Sequence, residues 1–432
     1  MTSMHRRGFL GALGLPMVAA GVLLDPTRMA QALARAADDE RDPQVVADDE
    51  DFWFDVAAAF TVDRSLVNLN NGGVSPSPAL VQDAMARHLA YSHQAPSYTM
   101  WRILEPQKET VRQRIARQWR VDPEEIALTR NASEGLQICQ QGIDLAADDE
   151  VLATTQDYPR MLTTFDQRAR REGIVVKTIS IPTPCDDPGE IVRRYEAAIG
   201  PKTRLILVSH MINITGQILP VKQITALGRR HGIPVIVDGA HAFAHFEFDL
   251  AELECDYYAT SLHKWLHAPH GTGLLYVRRE LIRDLWPMMA APETMDDDIR
   301  KFEEIGTHPA ANTLAVGEAL TFFQGIGAAR KQARLEKLRD HWARPLARHD
   351  RVTLHTSLAP GMACGIATVQ VEGVPSRDLN RHLWADHRIL TTPIYHDEFE
   401  GVRVSPSVYT TLPELDRFVE AVEKVLAEGI PA

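Results

Sequence analysis

Between residues 234 and 277 the sequence places an acid, a lysine and several hydrogen-bond donors at the ends of short apolar runs. A run over 234–237 ends in Asp238. A second, over 256–260, ends in Ser261-Leu262-His263-Lys264. A turn, His270-Gly271-Thr272-Gly273, then leads into a third run over 274–277. Polar groups at the ends of apolar strands are where open α/β sheets hold ligands. A lysine beside a hydroxyl and an imidazole, with an acid at another strand end, points to an amine that condenses with a cofactor aldehyde. Amines do such work once desolvation or neighbouring cations lower their pKa.

That constellation needs a rigid sheet to hold it. Apolar strands at 126–129, 150–154, 175–181, 204–208 and 234–237 are separated by helical patterns ending near residues 143, 172, 199 and 231. Strands joined by helices of about a dozen residues pair in parallel. The fold class is therefore α/β, with a large, doubly wound, mainly parallel sheet. Before it, a short strand runs into Asn68-Leu69-Asn70-Asn71-Gly72-Gly73, a tight polar loop, and helices follow at 79–91 and 105–120. Glycines there allow close backbone approach, and Pro76 and Pro78 lead into the first of these helices. The segment Arg130-Asn131-Ala132-Ser133-Glu134-Gly135 opens another helix, and amides at such an opening can hold an anion. Any capped helix start has the same look.

After residue 277 the texture changes. A loop with Pro287, Pro292 and Asp296-Asp297-Asp298 leads through Gly306-Thr307 to a long amphipathic pattern over 311–348, divided near Gly325-Ile326-Gly327. Strands at 352–355, 365–372, 389–394 and 402–405 and helices at 376–386 and 412–428 then make a smaller α+β domain. Thr411 and Glu414 form a capping box for the last helix. The expected division is 66–310 for the large domain and 311–432 for the linking helices and small C-terminal domain.

Residues 1–37 are set apart. Arg6-Arg7-Gly8-Phe9-Leu10 is a twin-arginine pair followed by an apolar run to Leu24, with small-residue sites Ala30-Gln31-Ala32 and Ala34-Arg35-Ala36 behind it. A spanning helix needs about 20 apolar residues, so a removable export signal is expected, and with it a periplasmic or otherwise exported location. Residues 38–65 are an acidic N-terminal segment whose runs Asp38-Asp39-Glu40-Arg41-Asp42 and Asp48-Asp49-Glu50-Asp51 are expected to be a solvated linker, with the globular part beginning near Phe52. The net charge of −12 argues against nucleic-acid binding. The four cysteines, Cys139, Cys185, Cys255 and Cys364, have no C-x-x-C spacing, so no metal site is expected.

Taken in order, Asp238-Gly239-Ala240-His241, Ser261-Leu262-His263-Lys264, Asn213 in Ser-His-Met-Ile-Asn-Ile-Thr-Gly, Gly306-Thr307 and Arg403-Val404-Ser405-Pro406 carry a resemblance. The chain resembles class V aminotransferase-like enzymes of pyridoxal 5′-phosphate (fold type I), in particular the isopenicillin N epimerase-like branch. By that resemblance Lys264 would hold the cofactor as a Schiff base and move the substrate α-proton. Asp238 would keep the pyridine nitrogen protonated. Ser261, His263 and the Ala132-Ser133 turn would hold the phosphate, with Thr307 reaching it from a partner subunit in a homodimer with a shared site. Asn213 and His241 would sit near the ring hydroxyl, and Tyr158 would stack on the ring; many relatives carry glutamine where His241 stands. Arg403 would grip a substrate carboxylate in a bidentate pair. Asn70 and the Gly72-Gly73 loop would line the entrance. The implied activity is at the α-carbon of an amino acid or an amine-bearing peptide or secondary metabolite, aminotransferase-type first and epimerisation as the alternative. Desulfuration needs a mobile cysteine near 388–394, where the sequence reads Arg-Ile-Leu-Thr-Thr-Pro-Ile.

Overall fold

The computed structural model describes residues 40–430, so the expected export signal lies outside it. In chain order the strands of the first part are β1 (Val67–Asn68), β2 (Ile126–Thr129), β3 (Glu150–Thr154), β4 (Val175–Ile179), β5 (Thr203–Ser209), β6 (Val235–Asp238), β7 (Tyr257–Ser261) and β8 (Gly273–Val277). The last seven form one sheet in the order β2-β8-β7-β6-β5-β3-β4. From β4 to β7 all pairs are parallel, with Ser209 opposite Asp238 and Asp238 opposite Ala259. β8 runs antiparallel to both β7 and β2. The loop between β7 and β8 holds no crossover helix, and without one the chain can only reverse. The residues of β6, β7 and β8 are buried on both faces, as a helix-covered sheet requires.

Two glycines are fixed by close approach. A Cβ at Gly239 would stand 2.0 Å from Cζ of Tyr258 on the next strand, and one at Gly273 would stand 2.6 Å from Cα of Asn131. The second contact presses the start of β8 against the helix Ala132–Gly142 that opens at the same place.

The smaller part contains β9 (Val352–Leu354), β10 (Ala367–Val371), β11 (Ile389–Leu390), β12 (Thr392–Tyr395) and β13 (Glu400–Val404). Four of them form an antiparallel sheet, β12-β13-β10-β9, and β11 pairs instead with β1 in parallel. The strand expected over 389–394 is thus broken at Thr391, whose buried hydroxyl donates to Asn380 Oδ1 at 2.9 Å. A bridge between Asn70 and Ser405 continues the β1 seam, so the Asn70–Gly73 loop is stitched to the smaller sheet. The long amphipathic pattern resolves into helices Ala310–Leu314, Val316–Ile326 and Ala328–Leu346, the last two divided at Gly327 with φ +86°.

The acidic segment is not a solvated linker. Residues 43–58 form helices Pro43–Ala47 and Glu50–Ala58, capped by Asp42, which accepts from the Gln44 amide, and by Asp49, which accepts from the Phe52 amide. Side-chain oxygens at such positions satisfy orphan amides, which is why acids precede the apolar positions Val46, Trp53 and Val56. Those three side chains are buried in the core of the smaller part. Glu50 meets the buried guanidinium of Arg334 at 2.5 and 3.0 Å. Without Glu50 the buried guanidinium would lose its carboxylate, a loss cushioned only by the solvent that reaches the exposed Glu50 side. Among the described residues no helix is long and apolar enough to cross a membrane, and no group of histidine, cysteine or acid side chains is placed to hold a metal.

Candidate active site

At the carboxyl ends of β5, β6 and β7 lies a cavity of about 200 Å³, closed on one side by the opening of helix Ala132–Gly142. Asp238, Lys264, His241, Asn213, Tyr158 and Ser209 line it, with Ala132, Ser133, Ser261 and His263 on the helix side. The sheet explains the convergence: three strand ends and a helix opening meet where the chain must turn, and turns can present polar groups that strand interiors cannot.

Asp238 is buried, and its Oδ1 accepts from the Ala240 amide at 2.9 Å. Its other oxygen receives no hydrogen bond among the described residues. Burial raises its pKa, partly offset by the Ala240 amide and the Lys264 charge. Lys264 Nζ stands 2.9 Å from His241 Nε2. Burial brings the Lys264 amine down to about 8, with Asp238 opposing the shift and Arg403 adding to it. Burial, Lys264 and Arg403 hold His241 neutral by pushing its pKa well down. When Nε2 accepts from Lys264, the His241 proton is on Nδ1, a buried atom with no partner among the described residues. His263 donates from Nδ1 to the Thr272 carbonyl at 3.1 Å, and burial lowers it to about 4.

Ser261 Oγ accepts from the Ala132 amide at 2.9 Å, tying the end of β7 to the helix opening. Asn131 caps that helix through the Glu134 amide. Tyr158 keeps 36% of its surface exposed and lines the cavity just before helix Pro159–Glu172.

Arg403, on β13, is buried, yet no carboxylate pairs with it among the described residues. Its NH2 donates to Asn70 Oδ1 at 2.8 Å and its NH1 to the Asn213 carbonyl at 3.0 Å, while Nε has no partner. Burial brings even this guanidinium down to about 10. A buried, uncompensated cation is costly unless an anion comes to it. The structural salt bridge that would explain Arg403 otherwise is absent from the described chain.

The structure therefore brings Asp238, Lys264, His241, His263, Ser261, Ala132, Ser133, Tyr158 and Asn213 around one cavity. Arg403 and Asn70 stand behind Asn213, joined to it through the Arg403 guanidinium. Thr307 does not join them: it is exposed, on a turn where Gly306 has φ +75°. Two residues were missed by the sequence reading, Ser209 in the cavity wall and its partner Asp157. Both stand beside singled-out residues, at a strand end and before Tyr158, which was the available signal.

This architecture, with a lysine and an acid at neighbouring strand ends of a seven-stranded mixed sheet, is that of the fold type I enzymes of pyridoxal 5′-phosphate. A family model, aminotransferase class-V, matches residues 67–418, and the chain belongs to that family. Isopenicillin N epimerase of Streptomyces clavuligerus is 30% identical over 393 residues, covering 87% of this chain and 99% of the relative. A probable cysteine desulfurase of Mycolicibacterium paratuberculosis is 27% identical over 431 residues, covering 90% of this chain and 60% of the relative. Among solved structures, a mutant of C-DES with glycine covalently linked to its PLP cofactor is similar in fold, with a TM-score of 0.73 at 24% identity, covering 83% of this chain and 98% of that one. The cofactor is pyridoxal 5′-phosphate, and the cavity fits it. The free oxygen of Asp238 suits a protonated ring nitrogen, the unpartnered His241 Nδ1 suits a ring substituent, and the lowered Lys264 suits an aldehyde.

Proposed function

We propose that this enzyme acts at the α-carbon of an amino acid, or of an amine-bearing peptide or secondary metabolite, with aminotransferase-type chemistry. Bound pyridoxal 5′-phosphate supplies the electron sink that makes an α-proton removable. The chain's own residues supply the rest. Lys264, with a pKa near 8, would hold the aldehyde and, once the substrate amine has displaced it there, would take the α-proton at the freed Nζ, close to neutral pH where a base works best. Neutral His241 accepts from the same nitrogen and keeps its lone pair oriented. Asp238 holds the proton of the ring nitrogen. Ser133 and Ser261 hold the phosphate, His263 joins them once the phosphate charge puts a proton on its Nε2, Tyr158 covers the ring, and Arg403 takes a substrate carboxylate in the gap that no acid fills among the described residues. The single observation that carries this reading is Asp238 and Lys264 lining one cavity, with a buried Arg403 that lacks a carboxylate nearby.

Epimerisation is the second reading, favoured by the isopenicillin N epimerase similarity over nearly the full chain. Desulfuration has less support, since no cysteine stands in the 388–394 segment and all four cysteines are buried. Cys364 packs at 0% exposure, with Sγ toward the His245 carbonyl. The proposal extends to a homodimer in which Thr307 of one subunit completes the phosphate site of the other, and to export by the twin-arginine route, which carries folded, cofactor-loaded proteins.

Borohydride reduction of the purified protein, followed by peptide mapping, tests the assignment. A label on Lys264 and a visible band are expected; a colourless protein or a label elsewhere overturns it. In heavy water with candidate amines, a keto product supports transamination, whereas deuterium at the α-carbon without keto product supports epimerisation.

A further inference from the structure

Asp157 is 2% exposed and has no ion-pair partner among the described residues. Its two oxygens accept hydrogen bonds from two strand ends. Oδ2 takes the Thr154 amide at 2.7 Å and the Thr154 hydroxyl at 3.1 Å. Oδ1 takes the Ser209 amide at 3.1 Å and the Ser209 hydroxyl at 2.6 Å. Ser209 in turn lines the cavity and sits opposite Asp238 in the β5–β6 register. A row of polar groups thus crosses three adjacent strand ends: Asp238 ending β6, Ser209 ending β5, and Asp157 just beyond β3. A clip between strands needs no charge, and burying a carboxylate without a cation is costly. Four donors make the charge tolerable. They do not explain why it is there.

The Ser209 hydroxyl gives its proton to Asp157, so only its oxygen lone pairs are left for the cavity. Resting on the cofactor assignment above, we propose that Asp157 is a positioning residue for the bound cofactor. It fixes Ser209 and adds a second buried negative charge beside Asp238, so that the cofactor's ring nitrogen keeps its proton.

Burial pushes the Asp157 carboxyl up to about 6, with its hydrogen bonds opposing and the Asp238 charge adding to the shift. The titratable groups that face it are Asp238 across Ser209 and the buried Tyr195 of helix Pro188–Ala198, whose phenol its charge pushes further up. The carboxyl is charged above about pH 6 and neutral below, so its influence on the ring nitrogen is present above that pH and lost beneath it.

The test uses the full chain, reconstituted with pyridoxal 5′-phosphate labelled with nitrogen-15 in the ring. In Asp157→Asn the pH at which the ring nitrogen loses its proton falls by roughly one unit. The cofactor dissociation constant rises about three- to tenfold at pH 8 and stays at the parent value at pH 5, where the parent carboxyl is itself protonated. A purely structural clip would weaken binding equally at both pH values and leave the ring nitrogen unmoved, and that result overturns the proposal. If Asp157→Asn does not fold, Ser209→Ala breaks the same link from the other side. It should lower the ring-nitrogen midpoint by a smaller amount, and an unchanged midpoint there is equally fatal. A parent protein that takes up no cofactor would instead bring down the cofactor assignment, so the two failures are distinct.

Discussion

Two lysines of lowered pKa meet the chain at Trp265 and have opposite surroundings. Lys264 opens onto the cavity, faces Asp238 and touches His241. Lys331, on helix Ala328–Leu346, is 1% exposed and donates to the carbonyl of Trp265, the residue after Lys264. Its ammonium stands 5.6 Å over the ring of Phe323. Burial lowers both, to about 8 and about 7. The less perturbed amine is the one with an acid in its surroundings and a cavity before it. A lowered pKa therefore marks burial first, and the cavity and its acid decide which amine can do chemistry.

The largest effect expected is at Lys264. Lys264→Ala should abolish borohydride labelling and lower turnover by about 10²–10⁴-fold, the contribution of a positioned proton-transfer group. Lys331→Ala should keep the label on Lys264. A label moving to Lys331 would reverse the comparison.

Arg403 touches only the first lysine's surroundings, adding to the lowering of Lys264. Arg403→Met should cost about 1.5–3 kcal/mol of carboxylate recognition, roughly 10- to 100-fold in kcat/KM. For an amine lacking the carboxylate the loss should be much smaller, and steady-state kinetics on the pair of substrates checks this.

Lys331 makes its own prediction through folding. Its folded pKa lies near 7, below the ordinary lysine range of the unfolded chain. Between the two the unfolded chain binds more protons, so stability rises with pH through that window, by an amount on the order of a few kcal/mol. Denaturant midpoints at pH 7 and pH 10 should show this rise in the parent and a flatter profile in Lys331→Met. Equal slopes would mean that the amine is not buried in solution.

Thr307→Ala is expected to give the smallest change, a few-fold weaker cofactor binding, in line with loss of one exposed hydrogen bond of about 0.5–1 kcal/mol. Mixed dimers of Thr307→Ala with Lys264→Ala should recover one intact site if the threonine serves the partner's cofactor. No recovery would remove the shared site from the proposal.

Much of the site was legible because its residues end apolar runs. Asp238, Ser261 and Lys264 could be placed at a sheet's edge by periodicity alone, and the glycine turn before β8 was visible. The reversal of β8 was not, since it depends on the absence of a crossover helix rather than on any residue within the strand. Asp157 showed only its place before Tyr158, and its role stayed hidden because its donors come from residues 154 and 209, which only folding brings together. The acidic segment was misread because its charges were counted and its positions were not. Asp42 and Asp49 stand where helix caps belong, and Glu50 answers an arginine 284 positions away. Arg403 was legible by resemblance, and its missing counter-ion only in three dimensions.

The docking of residues 43–58 bears on how the N-terminus can be processed. If the proposed export signal is removed, a cut anywhere upstream of Asp42 spares both helix caps and the Glu50–Arg334 pair. A cut after residue 50 would strand the buried Arg334 guanidinium and take away the Val46 carbonyl that accepts from the Trp53 indole. The small-residue sites ending at Ala32 and Ala36 both lie on the permitted side of that line.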